Sequence, residues 1–460
     1  MNTRVLRVEL RRSVAPWAGA VVLVTTLAFL HLIAGPWWRG TAHWTAQWTS
    51  MALWTRSLLV FSWPLAVGFG ALQGLRDHRS KMSELLTSTP RPARHRAATL
   101  VGTAAITLVS AYALVVLLGA VQVSADTAYT HFGWLPISLV GALALVAGAA
   151  LGMGVARTLP SALTPPALTV GMFVATNLLR QFEDSAVPKA AVPNRLSLLS
   201  PPVAQVREVL LTLSASVHVG QTLWLLGMAA TGLALLAAAT PRARLLALTP
   251  VLAGAAIAML VLPADARRTY VVDEDAATQV CDGAVCVTRT QQARLAGLAD
   301  PGAKALRLLR GALGDQAPVA VRESTGIRAI GTRPERSPDT VLVDFGDEVI
   351  AGAEGEKLTR ALLAQGMAPL CYPRSSAESG VLGEVVAQGI VAAWVLGGDF
   401  EPLDGTLHAV GDQVSLARPV WKKLTALPRA EQRVRIRAAH AAALSCEGDT
   451  LDVLAGGVPR

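Results

Sequence analysis

Two sets of residues in this chain could do chemistry, and they lie in different halves. The first is four cysteines, Cys281, Cys286, Cys371 and Cys446, all beyond residue 265. An even number of thiols confined to one segment is the pattern of two disulfides in an oxidising compartment. Four unpaired buried thiols are the alternative reading. Zinc is disfavoured, because Cys-x4-Cys lacks the usual ligand spacing and His440 is the nearest histidine. The second set is five polar side chains, Arg56, Gln73, Asn177, His218 and Gln221, inside otherwise apolar stretches. Such groups are costly in hydrocarbon and mark a path or a structural tie unless they snorkel to the interface. Arg56, His218 and Gln221 lie near the ends of their stretches, where snorkelling is open to them. Arg56, Asn177 and Gln221 are the candidates to line a translocation path.

Catalysis has little to run on. None of the eight histidines falls in H-E-x-x-H, no G-x-S-x-G is present, and no G-x-x-x-x-G-K-[ST] cradles a phosphate. The segment 352–357, GAEGEK, has the wrong spacing for that loop. Glu378, Glu384, Asp399 and Glu401 read as a solvated face rather than an acid/base pair. The chain is therefore expected not to be an enzyme and to bind no cofactor of its own. No Asp or Glu lies deep in an apolar stretch, so coupling to a proton or sodium gradient has no obvious residue. Energy for any transport must come from another polypeptide.

The elements that carry these residues are dictated by hydropathy. The 460 residues have a mean hydropathy of +0.44, and the excess is concentrated in seven stretches. These run approximately 17–35, 53–75, 97–121, 135–156, 163–179, 217–239 and 245–262. Each is close to the ~20 residues that a helix needs to cross ~30 Å of hydrocarbon. Gly141, Gly148, Gly152 and Gly154 in the fourth allow close helix packing. This is the sequence of an α-helical membrane protein with a polar C-terminal half.

Charge orients it. With the N-terminus in the cytoplasm, thirteen Lys/Arg fall on inner loops and six on outer ones, the bias expected of cytoplasmic loops. Seven spans then place the C-terminal domain outside, in agreement with the cysteines. Residues 1–264 hold 19 basic and 7 acidic side chains, and residues 265–460 hold 22 and 25. The net +9 of the whole chain thus belongs to the membrane half and its anionic lipid, not to nucleic acid. Segment 1–15 alternates basic and apolar residues like a helix lying on the inner surface before Pro16. Five tryptophans between positions 37 and 54 fit an interfacial belt.

The loop 76–96, RDHRSKMSELLTSTPRPARHR, contains a short amphipathic stretch with Met82, Leu85 and Leu86 on one side, ended by Pro90. A surface helix before the first span, followed by E-L-L-x-S-T-P between the second and third, resembles the permease subunits of type-2 ABC transporters. Ser83, Glu84, Leu85, Leu86, Thr89 and Pro90 match that pattern. The chain departs from it in lacking a glycine before Glu84 and in having Arg96 where a lysine is common. The resemblance implies a six-helix permease bundle over 16–240, with 76–96 holding the coupling helix that docks on a separate ATP-hydrolysing subunit. Met82 joins the six matching residues as an anchor. It also implies a homodimer or heterodimer of permease chains, an external re-entrant region over 180–216, and ATP bound by the partner alone. The seventh span, 241–264, is then an addition.

Residues 265–460 are expected to form an α+β extracytoplasmic domain. Segment 270–290 reads as a β-hairpin with Asp282-Gly283 at its turn. Residues 318–323 and 339–345 are strand-like, and 356–366, 379–398 and 429–446 are helical, with Gly366 and Gly397 as stops. Four cysteines allow three pairings; Cys281–Cys286 and Cys371–Cys446 are the ones expected. The helix over 383–400 is reminiscent of the zinc-binding helix of thermolysin-like aminopeptidases, with glutamine and apolar residues in place of ligands. The leading reading is the membrane-spanning subunit of an ATP-driven exporter. The alternative is a membrane-anchored extracytoplasmic binding or sensing protein, or a degenerate peptidase-like one.

Overall fold

The computed structural model describes residues 10, 13–32, 44–45, 47–79, 93–127, 129–180, 194–202, 210–265, 268–325, 334–345, 347–372, 380–406 and 408–457. The N-terminal segment 1–9 and the loop 80–92 lie outside them, and with that loop Met82, Ser83, Glu84, Leu85, Leu86, Thr89 and Pro90. The chain divides into two compact units, the first covering residues 1–126 and 130–273, the second 127–129 and 274–460.

All seven apolar stretches are helical. They form α1 (Ala15–His31), α2 (Trp48–Ser57) with α3 (Leu59–Gly74), α4 (Ala93–Asp126), α5 (Trp134–Thr158), α6 (Thr164–Arg180), α7 (Ala215–Ala237), and α8 (Pro241–Leu246) with α9 (Thr249–Val261). Length separates them. Four are long and apolar enough to cross a membrane, namely α4, α5, α7 and the run Pro241–Val261, and α2 with α3 makes a fifth if that bent pair is one span. Helices α1 and α6 have 17 described residues each, and the segments from 33 and from 181 that follow them lie outside the described residues. Of the seven expected spans, four or five are candidates among the described residues. The second stretch bends by 51° between α2 and α3; Pro64, in the second turn of α3, has no N–H to give to a continuous ladder.

Helix α5 is the centre of the first unit, and its glycines explain how. A Cβ on Gly148 would come within 2.7 Å of Trp63 Nε1, and one on Gly154 within 2.6 Å of the Gly232 carbonyl oxygen. Gly152 lies against the backbone of Val67, and Gly232 against that of Ala150. Helices α3 and α7 therefore meet α5 backbone to backbone, the arrangement that small residues permit where no hydrophobic driving force separates helix from lipid. Around these contacts Trp63, Ala66, Leu145, Ala149, Met153, Leu225 and Met228 form a buried cluster.

The connection between the fifth and sixth stretches is not a re-entrant helix among the described residues. Residues 194–202 are irregular, with one short turn at Ser197–Leu199, and β1 (Leu211–Leu213) pairs antiparallel with β2 (Tyr270–Val272). Residues 203–209 lie outside the described set. The β1–β2 ladder joins the chain just before α7 to the chain just after α9, so both ends of that helical pair lie on one side. It also moves the domain boundary: the C-terminal unit begins at Glu274, not 265, and takes in Thr127 and Tyr129 from beyond α4.

The second unit is built on a four-stranded sheet, β3 (Gln279–Asp282), β4 (Val285–Thr288), β5 (Ala320–Glu323) and β6 (Thr340–Val343), in that spatial order. The β3–β4 pair is the expected hairpin; β4–β5 and β5–β6 are parallel. Helix α10 (Leu295–Leu313) is the crossover from β4 to β5, burying Leu298, Ala305, Leu309 and Leu313. Helices α11 (Gly355–Met367), α12 (Gly380–Leu396), α13 (Val410–Thr425), α14 (Arg429–Ser445) and α15 (Thr450–Ala455) complete it. Helix α12 is apolar nearly all round because it is interior: Val381, Val385, Val386, Ile390 and Val391 are fully buried in one core. Gly397, at φ +76°, ends it as expected. Gly366 is not a stop; it lies inside α11, where a Cβ would come within 2.8 Å of Leu309.

Candidate functional site

Two of the side chains predicted to matter in the membrane half, Arg56 and Gln221, meet at one irregular segment. Residues 194–202, NRLSLLSPP, cannot satisfy their own backbone: Pro201 and Pro202 carry no N–H, and one short turn at 197–199 leaves the carbonyls beyond it free. In hydrocarbon each orphaned carbonyl is costly, and non-helical backbone survives there only if protein supplies the partners. The bundle supplies three donors. Arg56, fully buried on α2, donates from Nε to the Pro201 carbonyl at 3.2 Å. Gln221, fully buried on α7, donates from Nε2 to the carbonyls of Leu198 at 2.7 Å and Ser200 at 3.3 Å. Trp224, one turn further along α7, donates from Nε1 to the Leu199 carbonyl at 2.9 Å. Four successive carbonyls are thereby held, and the Arg56 guanidinium donates through Nη2 to the Gln221 side-chain oxygen, locking the two donors together.

Burial corrects the snorkelling expectation for Arg56 and Gln221. Their relative exposures are 0% and 1%, and both polar ends turn inward. Arg56 reaches this position because α2 ends at Ser57 and the helix direction changes at Leu58. Its Nη1 has no hydrogen-bond partner among the described residues. At the start of the same segment, Asn194 Oδ1 accepts from the Leu196 and Ser197 N–H groups, and Arg195 Nε donates to the Leu262 carbonyl at 3.0 Å. The structure does not bring Asn177 into this group: its amide donates to Phe173 O at 2.8 Å within α6. Gln73, deeper in the bundle, donates to Thr103 Oγ1 at 3.3 Å and ties α3 to α4. Sequence reading missed Trp224 and the carbonyls. The Pro-Pro pair between two spans was the available signal.

The C-terminal unit holds two disulfides. Cys281 and Cys286 sit directly opposite each other across the β3–β4 ladder with Cα atoms 4.1 Å apart, and Cys371 and Cys446 have theirs 5.7 Å apart. Among its titratable groups, burial shifts Glu323, Glu384 and His440, while the exposed Glu356 is lowered by Lys304 and the exposed Lys357 raised by Asp404. Burial pushes the Glu323 carboxyl from 4.5 up to about 7, against the Thr288 N–H that donates to it at 2.6 Å, with Asp344 adding to the rise. Burial also raises Glu384, although the N–H groups of Cys371 and Tyr372 donate to it. It therefore caps the disulfide loop rather than belonging to a solvated face. Burial lowers His440, whose Nδ1 faces the Met367 carbonyl at 2.9 Å. The peptidase resemblance gains nothing: on α12, Gln388 bonds the Ala368 carbonyl at 2.8 Å, and no metal-binding cluster of His, Cys, Asp or Glu occurs among the described residues.

Compared with family models, curated proteins and solved structures, this chain matches none of them. Function has to be argued from its own residues. Those residues amount to a helical membrane unit in which the irregular segment 194–202 is clasped by Arg56, Gln221 and Trp224, joined to a disulfide-bonded unit of helices and a mixed sheet.

Proposed function

We propose that this chain is the membrane-spanning permease subunit of an ATP-driven exporter of the type-2 ABC class, working with a separate ATPase. The observation that carries the reading is the E-L-L-x-S-T-P sequence, Glu84 to Pro90, in a basic loop between α3 and α4. Three features support it. The first unit is a helical bundle packed backbone to backbone through glycine, as a membrane bundle requires. Its buried charge is a single arginine tied to a loop, which suits a gate better than an ion-coupling site. The two disulfides of the second unit suit an oxidising exterior. On this reading residues 194–202 close the outer end of the path, with Arg56 and Gln221 as the clasp. The substrate moves when that clasp is released by the ATPase cycle.

The test is Leu85→Asp together with Leu86→Asp. Interface energy concentrates in a few well-packed residues, so the double change should cost at least ~2 kcal/mol of association, about 30-fold in affinity. Pull-down of the partner ATPase is the measurement, with membrane abundance as the control. Loss of the ATPase at normal abundance supports the permease. Unchanged recovery would favour a membrane-anchored extracytoplasmic binding or sensing protein, in which this loop has no partner.

A further inference from the structure

The C-terminal unit divides its charge unevenly. From Arg418 to Arg437 the chain has seven Lys/Arg and a single acid, Glu431; the other 176 residues beyond 264 have 15 basic and 24 acidic side chains. A net +6 in twenty residues of a domain that is otherwise strongly acidic is a localised field, not a background.

The fold gathers these charges at one corner. Arg418, Lys422 and Lys423 stand on the outward side of α13, and Arg429, Arg433 and Arg437 recur every four residues along the outward side of α14. The two helices are joined by a short turn, and Gln432 Nε2 holds that turn by donating to the carbonyls of Thr425 at 3.3 Å and Leu427 at 2.7 Å. Lys422 and Lys423 in the last turns of α13 and Arg429 and Arg433 in the first turns of α14 are therefore brought to the two sides of this turn. All six are exposed, and none makes an ion pair among the described residues. Lysines elsewhere in the unit do pair: Lys304 with Glu356 at 2.6 Å and Lys357 with Asp404 at 2.8 Å.

Charge alone would be an ordinary solvated face. Val434 makes it something else. It is 68% exposed and flanks the Arg429–Arg433–Arg437 stripe on α14. A basic stripe with an exposed apolar residue at its edge fits an anionic surface that can also accept a hydrocarbon group. One such surface is always within reach, because the unit is tethered to the candidate span Pro241–Val261 by the short segment 262–273. A tether of that length keeps headgroups at high effective concentration, so weak contacts suffice.

We propose that the α13–α14 corner is a docking surface for the anionic phospholipid headgroups of the bilayer that anchors the chain. Lys422, Lys423, Arg429 and Arg433 contact phosphate, and Val434 enters the headgroup boundary. The contact fixes the orientation of the C-terminal unit and makes it sensitive to lipid composition. Each basic side chain at an anionic leaflet contributes roughly fivefold in affinity, and salt screens it.

The full chain tests this in nanodiscs of phosphatidylcholine alone or with 30% phosphatidylglycerol, using a water-soluble amine-acylating reagent and peptide mass spectrometry. In the anionic discs, labelling of Lys422 and Lys423 should fall by about tenfold, with Lys304 and Lys357 unchanged as internal references. Raising the salt to 0.5 M should restore it. Val434→Cys with an environment-sensitive dye should report an apolar environment only in anionic discs, a readout that does not alter the basic residues. Equal labelling in the two lipids would overturn the proposal. So would protection in neutral discs by added soluble glycerophosphoglycerol or an acidic polypeptide, because the partner would then come from solution.

Discussion

The Glu323 carboxyl offers a quantitative check on the C-terminal fold. It ends β5 beside Thr288 at the end of β4, and Thr288 Oγ1 contacts Thr290 Oγ1 at 2.6 Å. Thr290 in turn accepts a hydrogen bond on its carbonyl from Thr127 at 2.9 Å. Burial raises the folded-state value from 4.5 to about 7, so the fold favours the protonated acid. The sign follows. Below about 4.5 both folded and unfolded chains hold the proton and the group costs nothing. As the pH rises from 4.5 to 7 the unfolded chain gives up its proton first, and the domain loses stability across that window. Above about 7 the loss is complete, at roughly 3 kcal/mol. In a domain of this size each kcal/mol moves the melting temperature by roughly 2–4 °C, so the expected fall between pH 5 and pH 8 is roughly 6–12 °C. Glu323→Gln keeps an acceptor for the Thr288 N–H but cannot ionise, and should remove that part of the pH dependence. The assay is thermal unfolding of the detergent-solubilised chain, followed by protease sensitivity of the C-terminal domain at several pH values. Parallel pH slopes for wild type and Glu323→Gln would refute the reasoning.

Two further outcomes are expected. Replacing Cys371 and Cys446 together by serine opens a 75-residue separation and should destabilise the C-terminal domain by about 4 kcal/mol, read as a lower melting temperature that reducing agent lowers further by less than it lowers wild type, since only Cys281–Cys286 is left to break. Arg56→Met removes the donor to the Pro201 carbonyl and to Gln221; losing a buried charged hydrogen-bonding group should cost about 2–4 kcal/mol, read as faster proteolysis within 194–202, whereas Asn177→Ala should leave that rate unchanged.

How much of this was legible in the sequence depends on the range of the forces involved. The helices were readable because hydropathy is a local property, and every apolar stretch became one. Their status as spans was less so: four or five are candidates among the described residues, and composition alone does not fix where a helix ends. The hairpin at Asp282-Gly283, the two disulfides and the glycine contacts of α5 follow from turn chemistry, thiol count and side-chain size, all written in adjacent residues. The β1–β2 ladder was not readable, because it joins two three-residue strands nearly sixty residues apart with no periodicity of their own. For the same reason Leu211–Leu213 was expected to belong to a re-entrant helix. Helix α10 was not read from the sequence: Pro301, its seventh residue, lacks the N–H that would reach the Gly297 carbonyl and reads as a breaker, and the helix persists because Leu298, Ala305, Leu309 and Leu313 are buried.

The candidate site shows why polar residues in the membrane half needed the fold to be understood. From sequence, Arg56 and Gln221 were two isolated groups near helix ends, each able to reach water alone. Their meaning lies in a third party, the carbonyls of Leu198 to Pro201, which no hydropathy pattern displays. A loop with two prolines must find donors outside itself, and the only strong donors a bundle of Ala, Leu and Gly can offer are its few polar side chains. Three of the four carbonyls, Leu198 to Ser200, depend on α7 through Gln221 and Trp224, and the fourth, Pro201, on α2 through Arg56. Each bond contributes modestly, and a shift of α2 relative to α7 would break the Arg56 bonds while leaving the other three carbonyls held. Bonds drawn from two helices thus tie the segment to the positions of both α2 and α7, whereas the same segment held by apolar packing would have no such directional coupling.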